Sequence, residues 1–203
     1  RFASKDSPLS VEVEIDTGMR RMGIARESAA AFLAQVRSSP QLVLAGLFSH
    51  LACADALDPA SAREQSAALA AVVEEHVARG GARPAVHMAN SAGLLRLAEF
   101  EAGTTGGPGA GLVTQAVRPG LMLYGVSPFI GPGPVVGRSA EALDLEPVMT
   151  LAARVVATRR VAKGESVGYG ATWRASRATT VATLPLGYAD GILRSTSSGG
   201  GRV

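Results

Sequence analysis

Ala116-Val117-Arg118-Pro119-Gly120-Leu121-Met122-Leu123-Tyr124-Gly125 is where one architecture ends and another begins. Ala116 and Val117 read as the end of a strand. The Pro119-Gly120 step that follows removes one backbone N–H, fixes one φ and turns the chain. The amides of Gly120 and Leu121 can then face outward to an anion, with Arg118 beside them. Taken alone, the stretch reads more simply as a strand closing in a tight turn with a surface arginine.

Upstream of it, strand and helix patterns alternate. Val11-Glu12-Val13-Glu14-Ile15 alternates apolar and charged residues before Asp16-Thr17-Gly18, as a strand entering a loop does. Ala29, Phe32, Leu33 and Val36 have helical spacing, with Ser28 placed to cap that helix. Leu42 to Phe48 is a short apolar run ending at Ser49-His50, the pattern of a strand buried on both faces of a parallel sheet. Ala68, Leu69, Val72, Val73 and Val77 make a helical stripe over 61–78, leaving Glu74, Glu75 and His76 in solvent. Pro84 to Met88 reads as a third strand with His87 in its interior, Asn90-Ser91 opens the next loop, and a helix is expected over Leu94 to Leu97. A Gly/Thr loop over 103–111 leads back to the dividing stretch.

Crossovers of this length join parallel neighbours, so the pattern is either a doubly wound sheet or part of a (β/α)₈ barrel. No Gly-x-Gly-x-x-Gly follows a strand, which weakens the dinucleotide-binding alternative. The barrel is favoured by what stands at the strand ends: Arg21, then His50, then Asn90 and Ser91, then Arg118. Barrel active sites are assembled at that face.

Downstream, the Gly-Pro-Gly-Pro core of Phe129 to Gly137 reads as a linker. Pro147 to Thr158, Arg160 to Val167 and Thr179 to Leu184 read as strands, with Lys163-Gly164-Glu165 as a turn. This all-β segment is too short to bury a sizeable core alone.

Composition excludes several classes. A chain of 203 residues with 47% hydrophobic residues is not disordered. The net charge of +3 comes from scattered arginines, and with 4% aromatics there is no stripe or stacking platform for nucleic acid. Lone Cys53 excludes a disulfide framework, no apolar run approaches the ~20 residues of a membrane span, and no His/Cys/Asp spacing suggests a metal. The opening on Arg1 and the closing Ser198-Gly199-Gly200-Gly201 read as cut ends.

Six stretches then fall into one order: Asp16-Thr17-Gly18-Met19-Arg20-Arg21-Met22-Gly23, Phe48-Ser49-His50 with Ala54-Asp55, Ala89-Asn90-Ser91-Ala92, Arg118 to Gly125, Gly168-Tyr169-Gly170, and Gly187-Tyr188-Ala189-Asp190-Gly191. In order and approximate spacing they resemble alanine racemases, pyridoxal 5'-phosphate enzymes of fold type III with an N-terminal barrel and a C-terminal β domain. The resemblance covers nearly the whole chain. It implies an α/β fold in which residues 1–140 are about the last four βα units of a (β/α)₈ TIM-type barrel and 141–203 the first part of the β domain.

The same resemblance implies roles. Ser91, with Asn90 beside it and the amides of Gly120 and Leu121, would hold the cofactor phosphate. Arg118 would face the ring nitrogen where most such enzymes place a carboxylate, and His50 would stand behind Arg118 and bond to it. Arg21 and Tyr188 would meet the substrate, although the residue before Arg21 is usually glycine in the family and here is Arg20. Tyr169 would be a catalytic base reaching the barrel of the other subunit, so a homodimer is implied. The activity implied is interconversion of L- and D-alanine in the cytoplasm, supplying D-alanine for peptidoglycan. A racemase for serine or another small amino acid, and a non-catalytic pyridoxal-phosphate barrel, are the alternatives. The family's Schiff-base lysine has no counterpart in Lys5 or Lys163, the only lysines. The chain by itself is therefore expected to be inactive.

Overall fold

The computed structural model describes residues 4–97, 115–129 and 142–198. The chain forms two compact units, 1–148 and 149–203. The Gly/Thr loop at 103–111 and the Gly-Pro-Gly-Pro passage lie outside the described residues.

In the first unit β1 (Leu9–Asp16) runs parallel to β2 (Ile24–Ala25) on one side and to β3 (Leu42–Phe48) on the other, and β4 (Ala85–His87) pairs parallel beyond β3. The sheet order is β2-β1-β3-β4. Helices α1 (Arg26–Ser38) and α2 (Ala60–Ala78) make the crossovers. Val13, Ile15, Leu47 and Val86 form one buried cluster with Ala29, Leu33, Val36, Leu69, Val72 and Val73 of the helices. Successive residues of a strand point to opposite faces, so Glu12 and Glu14 of β1 project from the face away from that cluster.

Among the described residues the expected fourth strand shows one parallel bridge, Ala89 with Val117. Two hydrogen bonds flank it: Gln115 N–H to Val86 C=O at 2.8 Å and Arg118 N–H to Ala89 C=O at 2.8 Å. That bridge seats Arg118 beside the end of β4. The chain then enters a 3₁₀ turn, Leu121–Tyr124, closed by Gly125 at φ 75°. A Cβ on Gly125 would collide with the Glu146 carbonyl, so only glycine fits.

Several local expectations are corrected. Helix α1 starts at Arg26, not after a Ser28 cap; Ala25, held in β2, is its N-cap and no side chain caps it. The run Leu42 to Phe48 is not buried on both faces throughout, since Val43 is half exposed. His76 is buried rather than solvated, because it continues the Ala62, Leu69, Val72 stripe of α2 at helical spacing. The third helix, α3, spans Ser91–Leu95 and begins directly at Asn90, earlier than the apolar residues alone suggest.

In the second unit β5 (Ala157–Val161) pairs antiparallel with β8 (Thr179–Thr183), and β6 (Ser166–Val167) with β7 (Trp173–Arg174). Lys163 and Gly164 form the turn between β5 and β6. The strand expected from Pro147 begins only at Ala157. Before it, Val156 donates to Thr183 C=O at 2.9 Å, and Met149, Leu151 and Val155 are exposed. Strand propensity reflects fit to a half-buried pleated surface, and these side chains have none.

Candidate functional site

The C-terminal ends of β3 and β4 open on a cavity of about 310 Å³ lined by His50, Asp55, Asn90, Ser91, Ala92, Arg118, Gly120, Leu121 and Pro128. This is the lower end of the ~300–1,000 Å³ range in which small-molecule sites fall. Parallel strands deliver their loops to one edge, which is why residues far apart in sequence meet here.

Asn90 and Ser91 divide two tasks. Asn90 Oδ1 accepts from Gly93 N–H at 2.9 Å and caps α3, while its Nδ2 donates to Leu51 C=O at 3.1 Å. Ser91 is buried, and its Oγ accepts from Gly120 N–H at 2.8 Å and from Met122 N–H at 3.3 Å. The amides that converge on Ser91 Oγ are those of Gly120 and Met122, while Gly120 and Leu121 line the cavity. With its lone pairs so engaged, the hydroxyl is left as a donor.

Arg118 is held on several sides. Its Nη2 donates to Ser49 C=O at 2.6 Å, its Nη1 donates to His87 Nδ1 and lies 3.4 Å from His87 C=O, and its guanidinium carbon is 5.0 Å from the Phe48 ring centroid. The Phe48 and His87 rings stack at 5.1 Å. The imidazole behind Arg118 is thus His87 and not His50. His87 lies on β4, one strand from the bridge that seats Arg118, whereas His50 has left β3 and lies in its loop. His50 still lines the cavity. Its pKa is held below the usual 6.5 by burial first, then by the charges of Arg21 and Arg118, with Glu14 opposing, so it is neutral at pH 7. Burial lowers the Arg118 pKa, opposed by Glu14 and Glu12, yet a guanidinium stays cationic.

The loop after β1 is tied to Asp16, whose Oδ1 accepts from Gly18 N–H at 2.9 Å and Arg20 N–H at 3.0 Å. Those backbone bonds, that from Arg20 foremost, hold its carboxyl below the ordinary value of 3.8. Arg20 sits at φ 54°, left-handed backbone that glycine adopts freely. The loop thus keeps a glycine-like conformation despite the arginine. Arg21 is exposed and does not line the cavity, though its charge reaches His50.

Two residues that hold the site carry no motif. Gln65 of α2, 3% exposed, accepts from Ala52 N–H at 2.9 Å and donates to His50 C=O at 3.0 Å and Thr17 Oγ1 at 3.3 Å. Thr17 and Ser49 hydroxyls lie 2.7 Å apart, so one glutamine joins the loops after β1 and β3. Buried Arg96 donates to the carbonyls of Ala54, Ala56 and Leu57 and fixes the loop that carries Asp55. Both were detectable as polar residues at buried helical spacing: Gln65 falls between Ala62 and Leu69 on the α2 stripe.

Tyr169 and Tyr188 belong to the second unit, each opening a 3₁₀ turn, and both are exposed. Lys5 lies in the Ser4 to Ser7 turn before β1, at the opposite end of that strand from the cavity, and Lys163 in the β5–β6 turn. Among the described residues no group of three His, Cys, Asp or Glu side chains could hold a metal ion.

The family model for the alanine racemase N-terminal domain matches residues 1–128, and that for the C-terminal domain matches 148–203. The alanine racemase of Sorangium cellulosum (strain So ce56) is 42% identical over 193 residues, covering 95% of this chain and 45% of that protein. That of Vibrio cholerae is 33% identical over 198 residues, covering 97% and 48%. Among solved structures, alanine racemase from D-cycloserine producing Streptomyces lavendulae superposes with a TM-score of 0.69 at 31% identity, over 93% of this chain and 46% of that one. Alanine racemase from Bacillus anthracis with bound L-Ala-P gives 0.66 at 31%, over 93% and 45%. The chain spans about half the length of the curated relatives it matches.

Proposed function

The chain belongs to the alanine racemase family, and from that premise we propose that it carries the phosphate- and ring-binding part of a pyridoxal 5'-phosphate enzyme that interconverts L- and D-alanine. The fold is α/β, part of a (β/α)₈ barrel followed by part of an all-β domain. We take the barrel as residues 1–140 and the β domain as 141–203.

The observation that carries this reading is the buried Ser91 hydroxyl, left as a donor by the Gly120 and Met122 amides that bond its oxygen, at the wall of the cavity that Arg118 also lines. A buried hydroxyl free to donate suits an oxyanion, and Arg118 suits a neutral ring nitrogen, which can only accept from a guanidinium. The residues present therefore fit pyridoxal phosphate. The Ser91 hydroxyl, with the backbone of Gly120 and Leu121 that lines the cavity, would hold the phosphate, Arg118 the ring nitrogen, and His50 and Asn90 the flanking wall.

When bound, the cofactor acidifies the α-proton of an amino acid by drawing electrons towards its ring. Arg118 limits that pull, because a permanent donor leaves the nitrogen unprotonated, which favours simple removal and return of a proton. Tyr169 is assigned as the base for the L-enantiomer. A phenol needs cationic neighbours to act near pH 7, and the Arg118 cavity of the partner protomer would supply them, so the active form is a homodimer. Tyr188 and Arg21 are placed at the substrate side. No described helix is long and apolar enough to cross a membrane, and we assign the cytoplasm, with D-alanine passing to peptidoglycan.

Titration of the chain with pyridoxal 5'-phosphate, followed by the cofactor's absorbance, tests the site. Saturable binding that Ser91→Ala weakens about tenfold, the loss expected for one charge-assisted hydrogen bond, supports the reading. Binding that neither Ser91→Ala nor Arg118→Ala changes would overturn it. Borohydride treatment should leave no lysine-linked adduct on the chain. Racemisation of L-alanine by the full-length protein, faster than that of L-serine, tests the substrate.

A further inference from the structure

Arg118 is asked to keep a donor edge free, yet even a half-buried guanidinium gains from a counter-charge. Among the described residues no carboxylate lies within ion-pair distance of it. The nearest connected negative charge is one residue further back. His87 receives Arg118 Nη1 on Nδ1, and its Nε2 lies 3.1 Å from Glu12 Oε2. A guanidinium only donates, so Nδ1 must present a lone pair. The ring proton is then on Nε2 and is given to the Glu12 carboxylate.

Glu12 is not adjacent to His87 in the sheet. It stands on β1, His87 on β4, and β3 runs between them. The carboxylate crosses β3 over Gly46, and two independent features make that crossing possible. The first is a slip in the ladder: Val11 pairs with Leu44 but Glu12 with Gly46, leaving Ala45 without a partner. Such bulges re-aim side chains near functional sites. Without it Glu12 would face Ala45. The second is the missing side chain itself. A Cβ on Gly46 would lie 3.0 Å from Glu12 Oε1 and 3.2 Å from Glu12 Cγ, and 3.2 Å from the Ala85 carbonyl. A side chain there would push the carboxylate off His87.

We propose that Glu12 is a positioning residue for Arg118: passed over Gly46 by the bulge at Ala45, it fixes the Nε2–H tautomer of His87 and balances the guanidinium at one remove. An imidazole spacer keeps the carboxylate from forming a fork with the guanidinium, so the remaining N–H groups of Arg118 stay available to a ligand. Glu14 projects from the same face of β1 and its charge acts on Arg118 more strongly than that of Glu12, but among the described residues the carboxylate that bonds His87 is that of Glu12. The proposal rests on the cofactor reading only for what Arg118 serves; the tautomer stands apart from it.

The test is nitrogen NMR of the ¹⁵N-labelled chain at neutral pH, reading the His87 ring nitrogens, with pyridoxal phosphate titration as a second arm. The wild-type ring should be the pure Nε2–H tautomer. Glu12→Gln, whose amide oxygen still accepts, should retain it. Glu12→Ala and Gly46→Val, the latter with Glu12 intact, should both give mixed tautomers and weaken pyridoxal phosphate binding about tenfold, while Glu12→Gln binds nearly as wild type does. A wild-type His87 protonated on Nδ1 overturns the proposal even if every variant fails to fold. So does a Glu12→Ala variant with an unchanged tautomer. If the wild type does not bind pyridoxal phosphate, the cofactor reading fails and the tautomer arm still decides the role of Glu12.

Discussion

Replacing Gln65 by leucine keeps the volume of the side chain and removes its hydrogen bonds. The Ala52 N–H and the His50 carbonyl lose their partner, as does the Thr17 hydroxyl. A polar group left unsatisfied inside a protein costs about 1–3 kcal/mol. Ala52 lies near the surface, where water restores part of that, and the added apolar burial of leucine returns about 1 kcal/mol. A net loss of about 2 kcal/mol follows. For a chain of this size that lowers the melting temperature by roughly 4–8 °C. Urea unfolding should show a lower midpoint with an unchanged slope, and hydrogen exchange should show the Ala52 amide exchanging faster. Because Gln65 joins the loops carrying Thr17 and His50, pyridoxal phosphate affinity should fall too, although Gln65 does not line the cavity. A Gln65→Leu variant within about 0.5 kcal/mol of wild type, with Ala52 protection unchanged, would refute the reasoning.

Other outcomes follow from the same structure. Arg20→Gly relieves a left-handed residue and should stabilise the chain by about 0.5–1 kcal/mol by urea unfolding. Arg118→Lys should not restore the pyridoxal phosphate affinity lost in Arg118→Ala, since one ammonium cannot reach both His87 and the Ser49 carbonyl in Arg118's planar geometry; equal affinity for the lysine variant and wild type would contradict this. His50 and His76 both have pKa values below 6.5, burial being the first cause for each. The unfolded chain therefore takes up protons first as pH falls through 6.5, so stability from these groups is complete above that value and declines below it. A His76→Gln variant should flatten the decline measured by urea unfolding between pH 7 and 5.

Much of the first unit was legible because its strands and helices bury one face each. The alternation of Val11 to Ile15 and the apolar run at Leu42 to Phe48 located β1 and β3, and the polar residues at the strand ends marked the side where the cavity lies. What could not be read was register. The imidazole behind Arg118 is set by the bridge that seats Arg118 beside the end of β4, and the carboxylate behind that imidazole by one unpaired residue, Ala45, between β1 and β3. A sequence reader counting alternation along single strands has no access to a slip between two of them. His76 and Gln65 failed for a plainer reason: their polarity outweighed their positions on the α2 stripe. Further on, Pro147 to Val156 has strand composition without a strand, since composition reports suitability for a neighbour and not its presence.

Asn90, which caps α3, and Ser91, whose hydroxyl lines the cavity, are consecutive residues. Successive residues of a helix are rotated by about 100°, so the serine faces the cavity only because the asparagine before it ends the extended backbone. The site is in that sense phase-locked to the fold. Substitutions at either position should degrade it by degrees, but a one-residue deletion between Met88 and Asn90 would place the wrong side chain at each task and abolish binding in a single step.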